Sequence, residues 1–325
     1  MKKLLKYLLY LIGLVIVVIA GLMIYLKVFL PNVGPAPDLK IALTQERIER
    51  GKYLANHVAV CIDCHSTRDW ARFSGPIVVG TEGKGGEVFD QKLGLPGVYY
   101  ARNITPYGIG NWTDGEVLRA ITSGVSKDGR ALFPIMPYLA IGQIDLEDVH
   151  SIIAYIRTLK PIENKVPDSK SDFPMNFIIN TIPKKPDFHT RPDTTDKVSY
   201  GRYLAAVCIE CHSTFKGSTM VKGMEYAGGR EFPLEGGGIV RSANLTPDPE
   251  TGTGNWTESF FIARFKVYSD TNYVPPAVGP KDFNSFMPWT MFARMRTEDI
   301  SSIFVFLKTL KPVTNKVTKY TPPVS

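Results

Sequence analysis

Cysteine is scarce and wholly committed. The 325 residues hold four, and all four fall in two matched pentapeptides, Cys61-Ile62-Asp63-Cys64-His65 and Cys208-Ile209-Glu210-Cys211-His212. None is left for a disulfide elsewhere or for lipidation. Histidine is nearly as rare: the chain has five, and two of them close these pentapeptides. No Ser/His/Asp set and no phosphate-binding loop stands out, so a hydrolase reading has no support. Charge is missing altogether between Lys6 and Lys27, and no clear Ala-x-Ala cleavage signal follows that run.

Two thiols three positions apart, followed directly by His, form the attachment pattern of c-type haem. The thiols reach the two vinyl groups and the next imidazole points at the iron. A redox dithiol, a zinc half-site and a disulfide are rivals for a lone Cys-x-x-Cys. The His after both pairs, with no spare thiol, points instead to two covalently bound haem c groups, held by Cys61, Cys64, Cys208 and Cys211, with His65 and His212 as proximal ligands. The formal charge of +7 falls to about +3 once four haem propionates ionise, which gives no reason to expect a nucleic-acid partner. Abundant Gly (28) and Pro (24) suit loop-rich domains whose core is largely filled by a cofactor.

The uncharged N-terminal run is about 20 residues, enough at about 1.5 Å each to span the ~30 Å hydrocarbon core of a bilayer. A retained anchor and a cleaved signal peptide compete for it, and the length favours the anchor. Lys2, Lys3 and Lys6 then stay in the cytoplasm. The rest lies on the outer, periplasmic face, where haem c is attached.

The sequence repeats itself in order. Gly51-Lys52-Tyr53-Leu54 matches Gly201-Arg202-Tyr203-Leu204, and Asn103-Ile104-Thr105-Pro106 matches Asn244-Leu245-Thr246-Pro247. Gly110-Asn111-Trp112-Thr113 matches Gly254-Asn255-Trp256-Thr257. Ala154 to Pro161 matches Val305 to Pro312. Each copy predicts a helix ahead of its pentapeptide (Thr44 as N-cap in the first), a helix opened by the capping-box spacing Thr113–Glu116, and a terminal helix that stops before proline, capped in the first copy by Asp145. Strand signals are short, at Pro76–Val79 and Val98–Tyr100. The expected class is mainly α: a transmembrane anchor (1–30), a first cytochrome-like domain (31–165), an extended proline-rich linker (166–196) and a second domain (197–325).

Met136 and Met287 hold equivalent places, each before a proline that fixes the local backbone, and are the candidate sixth ligands; gap-filling core methionine is the alternative. His57 lies in a three-residue insertion that the second copy lacks. It competes on paper with Met136, while a surface or core role fits a lone His better. Trp112 and Trp256 are candidates for bonding a haem propionate, or are simply core aromatics. Arg102 and Arg241 are looser candidates for the same role, and Met220, Met224, Met291 and Met295 read as packing.

On these residues the halves resemble class I cytochrome c domains. The elements Asn103–Pro106, Gly110–Asp114 and Met136–Tyr138 are further similar to the multihaem cytochrome c subunits of membrane-bound alcohol, aldehyde and sugar-acid dehydrogenases. The resemblance covers roughly 45–165 and 197–315. It implies small helical bundles wrapped on haem with Met opposite His, although those subunits typically carry three haems and this chain has two motifs. The expected function is membrane-anchored electron transfer, not bond chemistry, between a dehydrogenase or respiratory donor and an oxidase, another cytochrome or quinone. The alternative is a di-haem peroxidase, which needs one iron that opens to peroxide. A Met candidate in both halves speaks against that. A thiosulfate-oxidising enzyme would need a spare Cys, and a sensor would need an output domain.

Overall fold

The structure is a computed structural model that describes residues 2–216, 219–234, 236–279 and 281–323. The uncharged run lies within α1 (Lys2–Val28), which has no buried residue and a hydropathy of 2.8 in its most apolar window. Among the described residues it is the one helix long and apolar enough to cross a bilayer.

Beyond α1 the chain is mainly helical, and its elements repeat with the sequence. The helices α2 (Gln45–Tyr53), α3 (Asp114–Ser123) and α4 (Leu146–Arg157) correspond to α5 (Lys197–Leu204), α6 (Glu258–Lys266) and α7 (Thr297–Lys308). Their starts are where side-chain oxygens can satisfy free backbone N–H groups. Thr44 accepts from the Arg47 amide, Asp145 from Glu147 and Thr257 from Phe260, and Thr113–Glu116 closes both bonds of a capping box. Helix α7 has no such cap, because Arg296 precedes it.

Small antiparallel sheets flank the helices. In the first half β1 (Val88–Phe89) pairs with β2 (Gly97–Tyr100), which pairs with β3 (Lys170–Ser171). In the second, β4 (Glu231–Pro233), β5 (Ile239–Arg241) and β6 (Tyr320–Thr321) follow the same order. Val98–Tyr100 therefore pairs as expected, while Pro76–Val79 makes a single bridge, from Ile77 to Arg68. The stretch 166–196 is not extended throughout. It supplies β3, then a one-turn helix at Met175–Ile178 and a 3-10 turn at Ile179–Thr181 that lie against α1. There the Asn180 side chain donates to the Leu26 carbonyl at 2.9 Å, and Lys27 lies 5.0 Å above the Phe177 ring.

In each half the helix ahead of the pentapeptide crosses the terminal helix at very short range. A Cβ on Gly51 would fall 1.7 Å from the Ser151 carbonyl oxygen, and one on Gly201 would fall 1.9 Å from that of Ser302. Only glycine permits either crossing. Leu54, Val149, Ile152 and Ile153 bury themselves around the first, Leu204, Ile300, Ile303 and Leu307 around the second, and the two groups join in one continuous core.

The halves meet through a reciprocal contact built two residues beyond those glycines. Tyr203 donates to Asp148 at 2.6 Å and accepts from the Asp145 amide at 3.2 Å. Tyr53 donates to Asp299 and accepts from the Arg296 amide at 3.2 Å. Asp148 carries more. It takes both arms of Arg50, at 2.9 and 2.6 Å, and Arg191 from the connecting stretch at 2.9 Å. Burial alone would raise the Asp148 carboxyl, but the bonds and charges of Arg50, Tyr203 and Arg191 outweigh it and hold it below the usual carboxylate range.

Replacing Asp148 by Ala leaves Arg50 and Arg191 without their counter-charge and is expected to cost about 3 kcal/mol of holoprotein stability. Asp299→Ala loses a tyrosine hydrogen bond and an exposed arginine partner, at about 1 kcal/mol. Denaturant unfolding reads the order, and equal losses would contradict it. Because the folded Asp148 carboxyl is depressed, its contribution is complete above the ordinary aspartate value of about 4 and lost as pH falls through its lower folded value. The gap between wild type and Asp148→Asn should therefore close in acid.

Candidate haem centres

Each Cys-x-x-Cys forms a single helical turn, at Cys61–Cys64 and Cys208–Cys211, so its two thiols share one face. The following His folds back on that turn, its amide donating to the first Cys carbonyl at 3.1 Å for His65 and 2.8 Å for His212. None of the four cysteines pairs in a disulfide. Burial pushes Cys61 up to about 11 and both Cys64 and Cys208 up to about 12, and it raises Cys211 as well.

The imidazoles are oriented by the backbone. His65 Nδ1 lies 2.7 Å from the Arg102 carbonyl, and His212 Nδ1 lies 2.8 Å from that of Ala243. A carbonyl can only accept, so Nδ1 carries the proton and Nε2 keeps the lone pair that binds metal. Burial lowers both imidazoles below their ordinary value, with the carbonyl hydrogen bond acting in the opposite sense.

That carbonyl is brought within reach by a glycine. Gly85 (φ 71°) and Gly228 (φ 74°) stand so close to residues 102–103 and 243–244 that a Cβ would lie 2.5 Å from the backbone in each. Their amides donate to the His65 and His212 carbonyls. Asn103 and Asn244 hold the same strand from the far side. Each accepts from the Thr two residues on and donates its side-chain amide to the segment after the terminal helix, at Ile162 and Val313. Ser66 and Ser213, both fully buried, anchor the loop start by bonding Ile62 and Ile209. These supports escaped the sequence reading, although Cys-His-Ser-Thr occurs in both halves. The Gly-rich segment at 83–86 corresponds in structure to Tyr226–Gly229.

Met136 and Met287 are both half-buried and sit in the same local geometry. Pro137 (φ −78°, ψ 47°) and Pro288 (φ −78°, ψ 72°) each occupy the middle of an inverse γ-turn, closed by an amide-to-carbonyl bond of 2.8 Å from Tyr138 to Met136 and from Trp289 to Met287. The prolines fix where each Met side chain leaves the backbone. Beside Met136, the fully buried Tyr138 hydroxyl has no hydrogen-bond partner among the described residues. An orphaned polar group next to a candidate ligand fits a site that takes a further group.

Other candidates are placed differently. His57 lies in a π-helical turn, Leu54–Val58, that absorbs the three-residue insertion, and its Nδ1 is 3.0 Å from the Met291 carbonyl of the other half. It faces the junction between the halves. Arg102 pairs with Asp168 at 3.2 Å and Arg241 with Glu231 at 2.7 Å, so both side chains already have carboxylate partners. Trp112 and Trp256 are half-buried ahead of α3 and α6. The Trp112 carbonyl accepts from Arg157, and Trp256 packs edge-on against Phe260. Met291 and Met295 are buried in the core, as expected for packing residues.

No family model matches the chain. It is 28% identical over 303 residues to the cytochrome c subunit of the quinone alcohol dehydrogenase of Gluconacetobacter polyoxogenes, across 88% of this chain and 59% of that subunit. It is 32% identical over 237 residues to the fructose dehydrogenase cytochrome subunit of Gluconobacter japonicus, across 68% of this chain and 44% of that subunit. A di-haem c-type cytochrome of Cereibacter sphaeroides is 28% identical over 222 residues, across 65% of this chain and 71% of its own length. The chain thus spans about half the length of the dehydrogenase subunits it matches. It is homologous to cytochrome c subunits of alcohol and fructose dehydrogenases and to a di-haem cytochrome c, and with them it implies haem c as cofactor.

Proposed function

We propose that the chain is a membrane-anchored di-haem electron carrier of two tandem cytochrome c domains. In this reading Cys61 and Cys64 hold one haem and Cys208 and Cys211 the other, with His65/Met136 and His212/Met287 as axial pairs. The observation that carries it is the matched orientation of His65 and His212 by the Arg102 and Ala243 carbonyls, each directly after a two-thiol turn. When bound, each haem supplies a reversible one-electron iron couple. The protein residues set its environment. The carbonyl-bound imidazoles fix the proximal side, the Met136 and Met287 turns present soft sulfur that favours Fe(II), and Trp112 and Trp256 offer indole N–H groups to propionates. The named relatives are dehydrogenase subunits, which supports a dehydrogenase as donor and a second cytochrome, an oxidase or quinone as acceptor. A carrier also fits relatives named as cytochrome subunits.

Near-infrared magnetic circular dichroism of the oxidised holoprotein tests the ligands. Two His/Met signatures are expected, and a high-spin or non-Met haem would overturn the assignment. Mass spectrometry of the denatured chain should retain two haems, and one in a Cys61→Ala/Cys64→Ala variant.

The anchored reading places α1 across the inner membrane with the haem domains outside. The segment against the α1 exit supports it, since Lys27 lies over the Phe177 ring and the neighbouring Phe173 and Ile178 are 78% and 43% exposed. Exposed apolar side chains next to a lysine at a helix end suit the boundary between hydrocarbon and headgroups. With all four cysteines in thioethers, Phe173→Cys offers a single labelling site. A fluorophore there should be quenched by nitroxide lipids, and intact mass should retain residues 2–28. A mass without them would mean a cleaved, diffusible carrier.

A further inference from the structure

We propose that Ser74, in the first half, is a positioning residue for Met287 in the second, so that the ligand set of the second haem is completed by a loop of the first. The proposal rests on Met287 being a sixth ligand. Ser74 is 1% exposed, and its hydroxyl spans the turn that presents Met287: it donates to the Met287 carbonyl at 2.5 Å and accepts from the Trp289 amide at 3.0 Å. Its own amide donates to the Asn284 side chain at 2.8 Å. Asn284, in turn, donates back to the Trp70 and Arg72 carbonyls at 3.2 and 3.4 Å, and the adjacent Ser285 hydroxyl accepts from the Met287 amide at 3.2 Å. Backbone bonds from Phe73 to Pro276 and from Val278 to Ala71, both 2.8 Å, lock the same two loops together. The Met287 carbonyl and the Trp289 amide are thus tied directly to Ser74, and the Met287 amide is tied to it through Ser285 and Asn284.

The brace also runs back to the first pentapeptide. Arg68 pairs with Asp63 at 3.1 Å, both nearly buried, and donates to the Gly75 and Ser74 carbonyls at 2.9 and 2.8 Å. Its guanidinium lies 4.0 Å from the Trp70 ring centroid, and Trp70 meets Phe286, the neighbour of Met287, at 5.1 Å. Among the described residues the Met136 turn receives no comparable bond from the second half.

Ser74 has φ 66°, a conformation glycine adopts freely, so Ser74→Gly removes the hydroxyl without backbone strain. Loosening Met ligation lowers a haem potential. Spectroelectrochemical titration of the holoprotein should show one midpoint shifted downward and its ferric Met–iron charge-transfer band weakened. The other midpoint, identified by its displacement in Met136→His, should stay unmoved. Wild-type Met ligation at both haems with neither midpoint changed in Ser74→Gly would overturn this proposal alone. Absence of Met ligation at the second haem of the wild type would overturn it together with the ligand assignment.

Discussion

The carbonyl oxygen of Ser151 sits where a side chain on residue 51 would begin, and that of Ser302 does the same for residue 201. This close crossing positions the rest of the molecule. It seats the helix that leads into each Cys-x-x-Cys turn against the helix that ends each half, so the pentapeptide leaves the core at a fixed angle. Two residues further along the same helix, Tyr53 and Tyr203 are carried to the opposite half, where Asp299 and Asp148 receive them. One glycine per half thus determines both where the cofactor motif stands and how the halves meet.

From that fixed turn, the histidine that follows needs only a partner for Nδ1, and the chain supplies it from the backbone. A carbonyl is a dependable choice because it cannot donate, so the tautomer does not depend on which residue follows. The cost falls on the neighbouring loop, which must approach within a Cβ's reach. Gly85 and Gly228 meet that demand with positive φ, and Asn103 and Asn244 hold the approaching strand from behind.

What was legible in the sequence was whatever lay in contiguous residues. The two pentapeptides and the caps at Thr44, Thr113 and Asp145 depend on spacings of two to four positions, and the repeat shows as short matched segments in the same order. What escaped was either backbone or long-range. The acceptors at Arg102 and Ala243 use carbonyls that any residue would provide, so no side-chain signal marks them. The counterpart of Gly83–Gly86 begins with Tyr226, itself at φ 58°, and the intervening loops differ in length, so no shared glycine pattern marks the correspondence. Arg102 and Arg241 looked available to propionates from sequence alone. In the fold they are spent on Asp168 and Glu231.

The departures from the repeat are more informative than the repeat. The insertion at His57 is absent from the second copy, Ser74 lies in a loop whose length differs between the copies, and Arg191 belongs to the connecting stretch; all three bond across the halves or at the residues where they join. The matched residues already build the two-thiol turn, the oriented imidazole and the Met–Pro turn twice, so these contacts serve the junction between the halves. Two of them reach the second half close to its Met–Pro turn, His57 at the Met291 carbonyl and Ser74 at Met287 itself. The contacts are unequal: Ser74 bonds the Met287 turn, and among the described residues the Met136 turn receives no comparable bond from the second half. On the proposed ligand assignment, two matched ligand sets would then stand in unequal surroundings, and their potentials would be free to differ.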